Sequence, residues 1–291
     1  MTILDEILVG KRREVADAMR TLPIDAVKAR AFVRPPARSF ASRLRARPGE
    51  PTRLIAEIKR KSPSVGTLAE IFDPVNLAQM YVSSGAAAIS VLTDFPNFGG
   101  SLEDLQAVHD AVTVPVLRKD FLITDYQIWE ARAAGADAVL LIVAALASPL
   151  GDPHNLDVLH TAGTPDLAMA RERLIRLMAV ARKAGLETLV EIHDESEAAV
   201  AVSVRAPIIG VNNRNLTTFE TSLHTTEAVM SSIHSALEYQ PIMVSESGLR
   251  NATDVLRVRQ AGAHAVLVGE ALVRSGDPSS KAREMAGVIL L

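Results

Sequence analysis

The chain has 291 residues, 48% hydrophobic and 22% charged, with a net charge of −3 and no cysteine. That balance gives no basic field for nucleic acid or an anionic membrane surface, and the missing cysteines exclude disulfides and thiolate chemistry. The longest apolar run, 138–147, is about half of the roughly 20 residues a membrane helix needs, and the acidic start, Asp5 and Glu6, lacks an apolar signal core, so the expectation is a soluble, cytoplasmic protein.

The first 50 residues predict a helical extension. Leu4, Ile7, Leu8, Val15 and Met19 fall near one helical face, Pro23 ends that helix, 24–32 suits a second, and Ser39 caps a short third one through Leu44. The turn-rich "RPGEP" at 47–51 then leads into the remaining residues, 51–291.

From residue 53 onward, short runs rich in Val, Ile and Leu alternate with Ala-rich helical segments. The runs are "RLIAEI", "AAISVL", "VPVLRK", "ADAVLLIV", "ETLVEI", "IIGVNN", "PIMVSE" and "AVLVGE". Continuous apolar strands separated by helices predict a parallel sheet covered on both sides, and eight such units predict an α/β fold of the closed (β/α)8 TIM-barrel type. An open doubly wound sheet is the alternative. The pieces "SGAAAI", "AGADAV", "AGLETL" and "AGAHAV" read as helix ends just before strands. The interval between the fourth and fifth runs is about twice its neighbours, so 148–166 predicts an insertion after strand four, expected as a surface loop. Its His154, Asp157 and His160 are better read as solvated loop residues than as a metal site.

In such barrels chemistry sits at the C-terminal strand ends. Glu57 and Lys59 follow strand one, Lys119 strand three, Glu191 strand five, Asn212 and Arg214 strand six, Glu246, Ser247 and Gly248 strand seven, and Gly269 and Glu270 strand eight. Residues two apart share a strand face, so Glu57 and Lys59 both point into the mouth, where opposite charges offset each other's burial. A single ion pair closing the core would explain those two. Three further charges converging on the mouth point instead to a polar substrate and acid–base chemistry. Gly248 and Gly269, with Ser247 and the Glu270 amide, suit the phosphate site common after strands seven and eight, and Lys59, Ser62 and Arg214 add donors or positive charge. Arg118 and Asp120 alternate with Lys119 and should face the helices. His193 reads as structural.

The stretches "IAEIKRKSPSVG", "SVLTDFPNFGGSLEDL", "PVLRKDFLITDYQIWEARAAGADAVLLIVAAL", "LVEIHDESE", "GVNNRNLTTF", "SESGL" and "AVLVGEALV" together resemble the indole-3-glycerol-phosphate synthase family, in order and from about residue 4 to 275. The resemblance implies ring closure, decarboxylation and dehydration of 1-(2-carboxyphenylamino)-1-deoxyribulose 5-phosphate, with no metal and no cofactor. It implies Lys119 as the general acid of ring closure, Glu191 as stabiliser, Lys59 and Glu57 as acid and base of dehydration, and Asn212, Glu246 and Ser247 as binding or orienting groups. It implies an aromatic pocket of Phe95, Phe121, Leu140 and Leu216, and an N-terminal extension packed over the barrel mouth. Its partners would be the phosphosugar substrate, neither nucleic acid nor membrane, a monomeric or weakly oligomeric state, and association with other tryptophan-pathway enzymes as an open option. The competing readings are another phosphosugar isomerase or epimerase barrel, which would want an aspartate where the two lysines stand, and a non-catalytic phosphate-ligand subunit.

Overall fold

The computed structural model describes residues 2–47, 49–62, 66–67, 73–151, 163–215, 220–234 and 238–287. Eight strands form a closed parallel barrel: β1 (Arg53–Ile58), β2 (Ala88–Leu92), β3 (Val116–Lys119), β4 (Ala138–Ile142), β5 (Glu187–Ile192), β6 (Ile208–Asn212), β7 (Ile242–Glu246) and β8 (Ala265–Val268). Each lies within a run marked out by the sequence. The ring closes where Arg53 to Ala56 of β1 register with Ala265 to Val268 of β8, which removes the edges that an open sheet would expose.

Alternation along each strand divides the core in two. Ile55, Ala88, Leu117, Leu140, Leu189, Val244 and Leu267 fill the barrel interior. Leu54, Ala56, Ile89, Val91, Val139, Val190 and Val211 face outward against the helices. Between strands run α4 (Pro74–Ser83), α5 (Phe95–Phe98), α6 (Leu102–Ala111), α7 (Asp125–Ala134), α8 (Val143–Ala147), α9 (Leu167–Lys183), α10 (Glu195–Ser203), α11 (His224–His234) and α12 (Ala252–Gln260), and after β8 follow α13 (Glu270–Val273) and α14 (Pro278–Met285). Gly85, Gly135, Gly185 and Gly262 all have positive φ, as the four recurrent pieces before strands predict.

The leading helices are α1 (Ile3–Thr21), α2 (Ile24–Phe32) and α3 (Phe40–Leu44), the last capped by Ser39 as expected. They do not all lie at the mouth. The start of α1 covers it, whereas α3 closes the opposite end, where Phe40 and Leu44 join the inner core. Glu187, at the start of β5, accepts from Ser39 Oγ at 3.1 Å and from the Ala41 amide. Asp137, just before β4, accepts from the Arg38 amide at 2.7 Å. Tyr126 Oη on α7 donates to the carbonyls of Ala18 and Leu22, which docks the end of α1. Met19, expected on the buried face, is exposed near that end.

The segment expected as a surface insertion begins as core: Ser148 and Leu150 are buried, and Leu150 belongs to the inner cluster with α1's Leu8. Residues 152–162, with His154, Asp157 and His160, lie outside the described residues. No helix among the described residues is long and apolar enough to cross a membrane.

Candidate active site

A cavity opens at the C-terminal ends of the strands. Glu57, Lys59, Lys119, Phe121, Leu140, Glu191, Asn212, Arg214, Ser247, Gly248, Gly269 and Glu270 line it, as the strand-end positions predict. Ile3, Leu4 and Ile7 of α1 form part of its apolar wall, with Phe98, Leu249 and Leu267.

The strand alternation predicted for 57 and 59 is realised as a contact: Lys59 Nζ lies 2.8 Å from Glu57 Oε1. The neighbouring cations go elsewhere. Arg60 donates to both carboxylate oxygens of Asp104, and Lys61 Nζ donates to the Pro96 carbonyl at 2.9 Å. The charge-rich stretch after β1 therefore splits into one lysine for the cavity and two cations that bind α5 and α6 after β2.

Lys119, at the end of β3, reaches across to β5 and β7. Its Nζ donates to Glu191 Oε2 at 3.0 Å and stands 3.4 Å from Glu246 Oε2. Burial alone would lower the ammonium's pKa, but Glu191, Glu246 and Glu57 outweigh it and hold it above the ordinary lysine range. The same arrangement separates two carboxyls on nearby strands. Glu191 accepts from Lys119 and, at 3.1 Å, from Asn212 Nδ2. Burial would raise its pKa, but Lys119 and His193 hold it well below the usual range. Glu246 is pushed up to about 8 by burial and by the neighbouring carboxylates Glu191 and Glu57, against the pull of Lys119. Neither of its oxygens has a hydrogen-bond partner among the described residues.

Two glycines make room for these acids. A Cβ on Gly210 would lie 2.0 Å from Glu246 Oε1, and one on Gly269 would lie 2.3 Å from Glu57 Oε1. Gly269, which the sequence marks for phosphate, thus has a second reason to lack a side chain. Gly210 is not marked by the sequence, because a glycine inside an apolar run carries no chemical signature.

The loop after β7 turns sharply. Ser247 has φ +65° and Gly248 φ +80°, and Asn213 Nδ2 braces the turn by donating to the carbonyls of Glu246 and Ser247. Arg214 NH2 approaches Glu270 Oε2 at 3.6 Å, so a cation offsets the acidic side chain that stands beside this loop.

Phe95 corrects the aromatic-pocket expectation. It is 71% exposed and does not line the cavity, whereas Phe98 does. β2 has ended at Leu92 and Asp94 caps a new helical turn, so strand alternation no longer applies at 95. Leu216 lies outside the described residues, and so does the Ser62 side chain. Arg118 faces the helices as expected, buried against Gln127 O and Glu130. Asp120 pairs with Arg118 and Thr93 but also lines the cavity, because β3 has ended at Lys119 and strand alternation no longer turns it away from the mouth. His193 sits behind Glu191, 3.4 Å from its Oε1, with Nδ1 3.0 Å from Glu197.

Paired lysines and carboxylates, converging under an apolar roof at the top of a (β/α)8 barrel, define an enzyme site for acid–base chemistry on a polar substrate. A family model described as indole-3-glycerol phosphate synthase matches residues 4–159 and 167–285, leaving a gap within the long interval after β4. The chain belongs to the indole-3-glycerol phosphate synthase family. A relative of that name from Roseiflexus sp. is 46% identical over 98% of both chains. Another from Kineococcus radiotolerans is 44% identical over 96% of this chain and 92% of its own. Indole-3-glycerol phosphate synthase 1 of Streptomyces coelicolor is 44% identical over 98% and 95%. Among solved structures, thiamine phosphate pyrophosphorylase from Pyrococcus furiosus aligns with a TM-score of 0.56 over 87% of this chain and 98% of its own. At 13% identity that likeness concerns the fold alone.

Proposed function

We propose that this cavity performs the family's carboxy-lyase reaction of tryptophan biosynthesis, converting 1-(2-carboxyphenylamino)-1-deoxyribulose 5-phosphate into indole-3-glycerol phosphate. The observation that carries the residue roles is the Lys119 ammonium, held between Glu191 and Glu246 in the same cavity as the Lys59–Glu57 pair. An isomerase of this fold would have no evident use for two such lysines.

In ring closure the aromatic carbon bearing the carboxylate attacks the ribulose carbonyl carbon. The carbonyl electron pair moves onto oxygen, which takes a proton from Lys119 Nζ. An elevated lysine pKa is compatible with this step: the donor is fully protonated near neutral pH, and a developing alkoxide is the stronger base. Delivery then depends on short range rather than on acidity. Glu191 faces the positive charge that spreads over the ring and amine. Cleavage of the bond to the carboxylate releases carbon dioxide and returns its electrons to the ring.

Dehydration removes the new hydroxyl as water, with Lys59 supplying the proton and Glu57 taking the proton from the adjacent carbon. Their 2.8 Å contact lets the base return a proton to the acid. One solvent proton balances the loss of the carboxylate as carbon dioxide. Asn212 is placed to hydrogen-bond the reacting oxygen, Glu246 orients Lys119 from below, and Ser247, Gly248 and the Glu270 amide bind the phosphate with help from Arg214. Phe121, Leu140 and Phe98 hold the aromatic ring. The enzyme acts in the cytoplasm, as a monomer or a weak homo-oligomer.

The test is a fluorescence assay for indole formation from the deoxyribulose phosphate, run with chelator and without added metal. Product formation that vanishes in Lys119→Met, while substrate still binds, supports the reading. A folded wild-type protein that makes no product refutes it.

A further inference from the structure

Lys11 lies on α1 and is not among the apolar residues that mark its helical face in the sequence, yet it is only 1% exposed. Its ammonium makes three contacts, each 2.9 Å long, to Asp94 Oδ1, Asp120 Oδ1 and Glu14 Oε2. All three of its donors are thereby used. Asp94 and Asp120 are as deeply buried as Lys11.

Each partner belongs to a piece of the cavity wall. Asp120 directly follows Lys119, and its carboxylate also accepts from Thr93 Oγ1 at 2.7 Å, the Phe121 amide at 2.8 Å and Arg118 at 3.0 Å. Asp94 accepts from the amide and the side chain of Asn97, opening the turn that presents Phe98. On α1 itself, Ile7 and Leu4 lie one and two turns before Lys11 on the same face, and both line the cavity. Three wall segments therefore meet at one ammonium.

A buried ion pair is a poor source of stability, because desolvation offsets most of the attraction and apolar replacements often do as well. Here the Lys11 contacts to Asp94 and Asp120 tie α1 to the segments that follow two strands. We propose that Lys11 is a positioning residue of the reaction, seating the apolar face of α1 over the cavity and pinning the Asp120 end of β3 so that Lys119 holds its place. The assignment rests on the reading of this cavity as the site of ring closure.

Steady-state kinetics on the full chain test it, using Lys11→Met and the paired Lys11→Met/Asp94→Asn, which removes one of the carboxylates left uncompensated. Circular dichroism and thermal midpoints establish that each is folded at the assay temperature. The expected result is a loss of about 10- to 100-fold in kcat/KM in both variants, with KM raised and kcat lowered. Ile7→Ala should raise KM in the native background and add nothing in the Lys11→Met background. Lower thermal midpoints with native kcat and KM, or an additive Ile7→Ala, would overturn the assignment. Failure of both variants to fold would make Lys11 merely structural and overturn it equally. A wild-type protein without indole-forming activity removes the functional reading and this assignment with it, whereas wild-type turnover beside an unaffected Lys11→Met removes this assignment alone.

Discussion

Gly210 of β6 lies against the carboxyl group of Glu246 on β7, so closely that a Cβ at 210 would come within 2.0 Å of Oε1. The atom in the way is the far end of a side chain rather than backbone. A methyl group there should therefore spare the barrel and displace the acid. Gly210→Ala is expected to keep its circular dichroism spectrum while losing about tenfold or more in kcat, the scale on which misplaced catalytic groups act. Shortening the acid in that background, as Gly210→Ala/Glu246→Asp, should recover part of the loss. Native kcat in Gly210→Ala would show that the position of Glu246 does not matter.

The elevated pKa of Glu246 has a consequence for stability. Its folded value is about 8 against an ordinary value of 4.5. Between those limits the folded protein holds a proton that the unfolded chain releases, so this group makes stability fall as pH rises from about 4.5 to about 8. The slope from one such group is at most about 1.4 kcal/mol per pH unit. Glu246→Gln stays neutral throughout. Its thermal midpoint should gain on the wild type between pH 5 and pH 8 and hold a constant difference above that. Parallel midpoint curves across the window would contradict the assignment.

The sequence displays the barrel because a parallel sheet buried on both faces demands continuous apolar strands, and nothing else in the chain imitates eight of them. It displays Glu57, Lys59, Lys119, Glu191 and Asn212 because polar residues at apolar strand ends stand out. Other parts of the site depend on contacts between distant elements. Lys11 resembles any lysine on an amphipathic helix until Asp94 and Asp120 are brought beside it. Gly210 is one more small residue in an apolar run until Glu246 occupies the space of its missing side chain. Phe98 lines the cavity in place of Phe95 because Asp94 opens a helical turn after β2 has ended at Leu92. Leu150 reads as loop and is core, because α1, almost 150 residues earlier in the chain, returns to cover it.

The sequence favours a structural reading of His193, and the charge it carries comes from the fold. Burial would lower its pKa; hydrogen bonds and attraction from Glu191 and Glu197 outweigh that and raise it to about 10. A histidine raised in this way stabilises fully below its ordinary value of about 6.5, and the contribution is lost as pH rises through about 10. His193→Gln should show its largest deficit in thermal midpoint near pH 6, with the gap narrowing steadily toward pH 10. A deficit independent of pH would mean that the ring acts through packing rather than charge.

The loop after β7 yields the sharpest separation of backbone from side-chain effects. Gly248 has φ +80°, a conformation that side chains resist, and a Cβ there would meet Thr221 Cγ2 at 2.5 Å. Gly248→Asp therefore disturbs the turn after β7 and adds a negative charge where phosphate is expected. Its Kd for inorganic phosphate should rise by about tenfold or more, on the scale of one charge-assisted hydrogen bond lost. Gly276 supplies the control: it is exposed, and a Cβ there would meet nothing within 4 Å, so Gly276→Asp adds the same charge without crowding and away from the cavity. That variant should bind phosphate as the wild type does. Isothermal titration of the three proteins decides the matter: equal weakening in both variants would reduce the effect to net charge, and no weakening in Gly248→Asp would move the phosphate away from the loops after β7 and β8.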